Sequence, residues 1–497
     1  MKRIHLLIVV VVVLLPTGCT VGPKYVRPDV PITPAYKEAP PQSFKESDIW
    51  KTAQPADQVL RGKWWEIFGD PELNTLEEQL TVSNQDLKAA EARFREARAL
   101  VHFNRASQFP TISVGPSTGY VKESNNTPSF PTTVPRAGSG DFILPFDLSY
   151  EIDLWGRVRR TVAAAREEAQ ATAADVATAS LSLHAEVAVD YFELRSADTQ
   201  KEILDDTVSA YTDAFQLTKT RFEGGASPRS DVAQARTQLD DTRVEDTDVT
   251  VQRAAYEHAI AVLIGKPPAE FRLAPAPLSL APPTIPVGVP SELLERRPDI
   301  AAAERRVAEG NEQIGIARAA YFPTLTLDAA GGFESTHIAN LLSGPNAFWA
   351  VGPALVETLF DAGRRRATSQ AAWANYDVVT ANYRQTTLAA FQEVEDNLAA
   401  LRILEQEAHQ QSQATAAAED WLEVSTNRYT GGVDNYLQVI IAQTSALTNE
   451  RNEADILRRR MDASVLLIKA VGGGWNVSEL PKPTGSKRYL GLQRGRR

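Results

Sequence analysis

Of the side chains in this 497-residue sequence, Cys19 is the one that invites covalent modification. It is the sole cysteine, so it has no intramolecular disulfide partner. It follows a short leader: basic Met1-Lys2-Arg3, an apolar run over residues 4–15 broken only by His5, then Pro16-Thr17-Gly18. A run that short does not persist as a spanning helix, so residues 1–18 read as a signal peptide. Small residues before a lone cysteine mark lipoprotein processing, with Cys19 becoming the acylated mature N-terminus. Pro16 stands where leucine is usual, and the plain alternative is an ordinary signal peptide with an incidental cysteine. Two or three acyl chains give stable anchoring, and Thr20 after the cysteine fits delivery to the outer membrane.

Other candidate chemistry is thin. The six histidines lie at positions 5, 102, 184, 258, 337 and 409, with no pair at helical ligand spacing, so no metal site is expected. Gly115-Pro116-Ser117-Thr118-Gly119 fits G-x-S-x-G, but it lies in a strand-like stretch rather than a strand-to-helix elbow. No phosphate-cradling loop occurs. Asp147, Glu151 and Asp153 share one strand face at the strand's two-residue period, which makes them lining groups rather than a catalytic pair. No enzyme activity and no cofactor are expected. A formal net charge of −11 and a pI near 5.3 argue against a nucleic-acid partner.

The elements that hold these residues come in two copies. Phe109-Pro110-Thr111 recurs as Phe322-Pro323-Thr324, and Trp155-Gly156-Arg157 as Ala362-Gly363-Arg364. Glu186-Val187 recurs as Glu393-Val394, Arg221–Gly225 as Arg428–Gly432, and Leu263-Ile264-Gly265 as Ala470-Val471-Gly472. The last four pairs share one offset, which marks an internal duplication. The expected organisation is an extended arm over 19–70, a first repeat over 71–265, a Pro-rich linker over 266–296, a second repeat over 297–472 and a tail over 473–497. Each repeat opens with a helix, about 71–106 and 297–320. A strand pair follows, about 109–122 with 141–154 and 322–333 with 347–360. Then come a very long helix, 157–222 and 364–428, and a return helix, 229–264 and 435–470. Each long helix would run about 100 Å.

The strands alternate. Phe142, Leu144, Phe146, Leu148, Tyr150, Ile152 and Leu154 face one way, and Asp147, Ser149, Glu151 and Asp153 the other. This suits a barrel wall between lipid and a wet lumen, or a soluble sheet with one buried face. Outside the leader, no apolar run is long enough for a transmembrane helix, so a spanning chain must use strands. Four strands cannot close a barrel. Three chains giving four each close one of about 12.

Two Gly-Gly turns, Gly224-Gly225 and Gly431-Gly432, end the long helices. Around them stand Arg221 and Asp231 at one tip, and Arg428, Tyr429, Asp434, Asn435 and Leu437 at the other. Arg and Tyr of one hairpin can bind Asp or Asn of a neighbour and lock a gate, or merely stitch their own hairpin. Leu437 is a candidate apolar ring. Trp64-Trp65 is either an interfacial belt or packing for the arm.

The chain resembles the outer membrane efflux protein (TolC-like) family, in its NodT-type lipoprotein branch. The resemblance rests on Cys19–Pro28, Trp64–Pro71, Ser149–Arg157, Leu293–Ile300, Ala320–Pro323, Leu359–Arg364, Phe391–Asp396 and Gly472–Trp475, in order along nearly the whole mature chain. It implies an α+β membrane protein, a homotrimer whose outer-membrane β-barrel continues into a periplasmic α-helical barrel. It implies a passive, gated conduit of a tripartite pump. The implied partners are outer-membrane lipid, a periplasmic adaptor (membrane fusion) protein and an inner-membrane transporter of the resistance-nodulation-division type. Many relatives carry Asp where Ile441 precedes Ala442-Gln443, so a cation-selective aspartate ring is not expected here. The other readings are a type I protein-secretion duct and a non-pore periplasmic lipoprotein.

Overall fold

The computed structural model describes residues 20–30, 32–33, 35–38, 62–122, 138–285 and 292–480. Pro16, Cys19 and the rest of the leader lie outside them, as do 123–137 and the tail from 481. The first helix is two, α1 (Pro71–Ser83) and α2 (Gln85–Ala106). The expected single helix breaks at Asn84, whose side chain accepts from Leu87 N at 2.8 Å and so caps α2. Asp70 caps α1, with Pro71 in the first turn.

The strand expected over 109–122 is also two, β1 (Thr111–Val114) and β2 (Ser117–Val121). Gly115-Pro116 divides them, because proline has no N–H to give the ladder. Both pair antiparallel with β3 (Ser139–Glu151). The long helix α3 (Arg157–Glu223) and the return helix α4 (Arg229–Leu263) follow. After a single turn at Leu293–Arg296, the second half runs through α5 (Pro298–Ala319), β4 (Thr324–Ser335), β5 (Ala347–Val356), α6 (Arg364–Thr430) and α7 (Tyr436–Ala470). The two long helices have 67 residues each and the two return helices 35. At 1.5 Å per residue, α3 and α6 each run about 100 Å.

The sheet is antiparallel throughout, in the order β1/β2–β3–β4–β5, so β1 and β5 are its free edges. The main core lies away from it, where Trp65, Leu73, Tyr191, Phe192, Ile300, Tyr383, Val394 and Ile468 close a cluster between α1, α3, α5, α6 and α7. Trp64 and Trp65 are buried there, which settles their role as packing. Inside this core His184 Nδ1 lies 2.6 Å from Glu77 Oε2, with Trp65 stacked on the imidazole.

The N-terminal segment is strapped to the helices. Val21 N–H donates to the Trp155 carbonyl at 3.1 Å, where β3 gives way to α3. Arg160, 7% exposed, reaches the Pro23 carbonyl at 3.2 Å and Glu312 at 2.9 Å. Gly315 makes room for it, since a Cβ there would meet Arg160 Cδ at 2.3 Å. Further on, Tyr25 donates to Glu304, Arg27 to the Tyr383 hydroxyl, and Arg402 pairs with Glu38.

Candidate functional site: the sheet faces and the hairpin tips

Register places like residues side by side. Ile112, Leu148, Ala329 and Val351 form one row across four strands, and Val114, Phe146, Gly331 and Trp349 the next. Tyr150, Leu327 and Pro353 make a third. Trp349 is 82% exposed and Ile112 69%, so among the described residues nothing covers this apolar face. The opposite face carries Ser113, Asp147, Ala330 and Ala350 in one row, and Thr111, Ser149, Asp328 and Gly352 in another. There Asp328 accepts from Ser149 Oγ at 2.8 Å and from Thr326 Oγ1 at 2.9 Å. One face is therefore mostly greasy and the other mostly polar or small, with Ile143 and Phe348 as exceptions on the second.

Of the three expected lining carboxylates, Asp147 lies mid-strand on the polar face. Glu151 is the last residue of β3 and pairs with Arg157. Asp153 is a correction: it lies beyond the strand. Its carboxylate accepts from Val158 N at 3.1 Å and Arg159 N at 2.9 Å, capping α3. The first-turn amides of a helix need such an acceptor, and this demand ends the strand's alternation before Asp153. Asp361 does the same for α6, accepting from Arg365 N; those backbone bonds hold its pKa below the usual range.

Both tips close by one motif. Ala226 N donates to Arg221 O and Gly225 N to Phe222 O; Val433 N donates to Arg428 O and Gly432 N to Tyr429 O. Gly225 and Gly432 have φ of 75° and 76°, the left-handed region where glycine is favoured. Gly224 and Gly431 cap the helices in ordinary right-handed geometry.

Arg428 and Asp434 sit on the same tip and pair bidentately, at 2.6 and 3.1 Å. The Arg428 guanidinium holds the Asp434 carboxyl below the ordinary carboxylate range. Within one chain, then, these two stitch their own hairpin. Tyr429 crosses between hairpins. Only 3% exposed, it packs on Tyr436 with ring centroids 5.2 Å apart, and its hydroxyl lies 3.3 Å from Ser227 Oγ of the other tip. Arg221 stacks over the Tyr429 ring at 4.7 Å and donates to the Thr430 carbonyl at 3.0 Å. Asp231 is buried beside Ser230 on the first tip. Asn435 precedes α7 without capping it through its side chain. Leu437 and Ile441, one turn apart, are each 44% exposed.

Sequence reasoning singled out Arg221 and Tyr429 but not that they meet. Ser227 and Tyr436 were missed as their partners. The buried, aromatic character of Tyr436 beside a Gly-Gly turn is the signal that could have found it.

A family model described as "Outer membrane efflux protein" matches twice, over residues 76–266 and 289–473. The toluene efflux pump outer membrane protein TtgF of Pseudomonas putida is 31% identical over 471 residues, covering 94% of this chain and 96% of its own. Among solved structures, the outer-membrane channel OprN superposes with a TM-score of 0.83 at 31% identity, covering 92% of this chain and 100% of its own. The CmeC outer membrane channel of Campylobacter jejuni gives 0.83 at 25% identity, covering 93% and 96%. With two family matches spanning most of the chain, and a sheet and hairpins laid out as in those channels, this chain belongs to the outer membrane efflux protein family, the outer-membrane channel components of efflux pumps.

Proposed function

We propose that three copies of this chain close one β-barrel in the outer membrane and one helical duct below it. The observation that carries this is the sheet: one face largely apolar and uncovered among the described residues, the other mainly polar or small, with both edges free. Open edges in lipid cost several kcal/mol per unpaired group, so β5 of one copy must pair with β1 of the next. The strands alternate in direction, so that junction is antiparallel like the others. The equal lengths of the two long and two return helices support reading 71–265 and 297–472 as copies of one ancestral unit.

On this reading the polar face lines the lumen and the tips form the gate. The Arg221–Tyr429 link makes the two hairpins of each chain one rigid leaf. An adaptor and an inner-membrane transporter dock at that end and supply the energy, and the relative's toluene export supports small apolar molecules as cargo. Acylated Cys19 anchors the chain, in keeping with Thr20 packing against Gly156 at the junction of sheet and helices. The test is extraction in detergent, mass determination and planar-bilayer recording. A trimer that inserts and conducts is expected. A non-conducting monomer would overturn the barrel.

A further inference from the structure

The strand-to-helix junctions of the two halves are alike in chain position and unlike in charge. After β3, each arginine is neutralised: Arg157 by Glu151, Arg159 by Asp153, Arg160 by Glu312. After β5, Arg364-Arg365-Arg366 follow one another, and only Arg365 is paired, with Asp361 at 2.8 Å. Arg364 and Arg366 are exposed, and among the described residues neither guanidinium has an ion-pair or hydrogen-bond partner. The loop just before them holds Leu359, 90% exposed, and Phe360, 86% exposed. That exposure exceeds that of every other large apolar side chain among the described residues.

A second copy of the chain does not account for this patch. If β5 pairs with β1 of a neighbour, the start of α6 lies beside the neighbour's end of α2. After Glu96, that end carries Arg98 and Arg105 and no carboxylate. The neighbour would add positive charge to two unpaired arginines, against Glu357, the one loop carboxylate left once Asp361 is paired with Arg365. What neutralises arginine beside exposed apolar side chains is a phosphate attached to acyl chains: guanidinium meets phosphate bidentately, and the apolar pair enters the hydrocarbon.

We propose that Leu359, Phe360, Arg364 and Arg366 form a binding site for an anionic phospholipid of the periplasmic leaflet. The phosphate headgroup sits on the arginines and the acyl chains lie against Leu359 and Phe360. The site rests on the barrel reading, which sets this junction at the periplasmic membrane surface. Three such sites would circle the trimer and fix its depth in the bilayer.

The test uses the full-length protein in detergent, titrated with phosphatidylglycerol or with phosphatidylcholine while thermal unfolding is followed. The parent's midpoint should rise with phosphatidylglycerol and much less with phosphatidylcholine. The double variant Arg364→Gln/Arg366→Gln should lose most of that difference and still conduct in planar bilayers. An equal rise with both lipids in the parent, which needs no variant, overturns the site. So does an undiminished preference in the variant. A photo-crosslinker placed at Phe360 should label lipid; capture of a second chain instead would assign the patch to the subunit interface. A conducting protein with no lipid preference removes this site alone, whereas failure to insert or conduct removes the barrel with it.

Discussion

Glu77 and His184 put an ionisable pair where water does not reach, at 0% and 5% exposure. Burial pushes the Glu77 carboxyl well above 4.5 and the His184 imidazole from 6.5 down to about 4. Both shifts favour the uncharged forms, so carboxyl and imidazole meet across the 2.6 Å contact as neutral groups. A raised carboxyl contributes stability that is full below its unfolded value of 4.5 and is lost as pH climbs toward its folded one. A depressed imidazole contributes stability that is full above 6.5 and is lost as pH falls through about 4. Between 4.5 and 6.5 the two trends cancel. As pH rises further the pair loses stability wherever the unfolded chain has released a proton that the folded one keeps. Burial also raises Asp462 to about 7 and Asp190 to about 6, so the parent's profile alone mixes several groups. Glu77→Gln isolates one. The stability gap between parent and variant should shrink as pH rises above 4.5, read from unfolding midpoints across pH. Parallel profiles would mean that Glu77 is ionised in the fold.

At the scale of the element, the hairpin tips separate a local tie from a coupling one. Arg428–Asp434 is exposed and internal to its hairpin, so cutting it should loosen one turn and barely alter the gate. Arg221 and Tyr429 join two hairpins. Tyr429→Ala removes a buried ring worth about 3 kcal/mol of packing or more, and Arg221→Ala removes the stack and the bond to Thr430. Either change should raise single-channel conductance several-fold above that of Asp434→Ala. Equal conductance for all three variants in planar bilayers would return the tips to a purely structural role. The long helices were legible because glycine and arginine bracket them and no breaker intervenes. Two breaks were not. Asn84 carries no glycine or proline signal, and only its capping bond shows that it ends one helix and starts another. Pro116 did carry a signal, but the alternation on either side of it ran on without a change of phase. Asp153 kept the strand's period while its carboxylate turned to α3. The Glu77–His184 pair was beyond reading, since 107 positions separate its members and each alone looks like a surface residue.

For the whole molecule, the decisive contrast lies between two neighbours in one strand. Leu148 and Asp147 are adjacent in β3 and point to opposite faces. If the apolar face meets lipid, Leu148→Arg puts a cation into hydrocarbon at a cost of about 2–4 kcal/mol near the bilayer midplane. Extraction of folded trimer should then drop sharply. Asp147→Lys changes the polar face, which costs no such transfer, so the trimer should form and conduct. Each of three chains changes by two charges, a swing of about six around one lumen, and rings of charged side chains set ion preference. The reversal potential under a salt gradient should move toward that of the anion. A soluble sheet with one buried face would also reject Leu148→Arg, so that variant alone decides little. It is the pair that discriminates, because no soluble sheet turns Asp147→Lys into a change of ion selectivity. Intact conduction with an unmoved reversal potential would take Asp147 off the lumen and leave the barrel's inner wall to be found elsewhere.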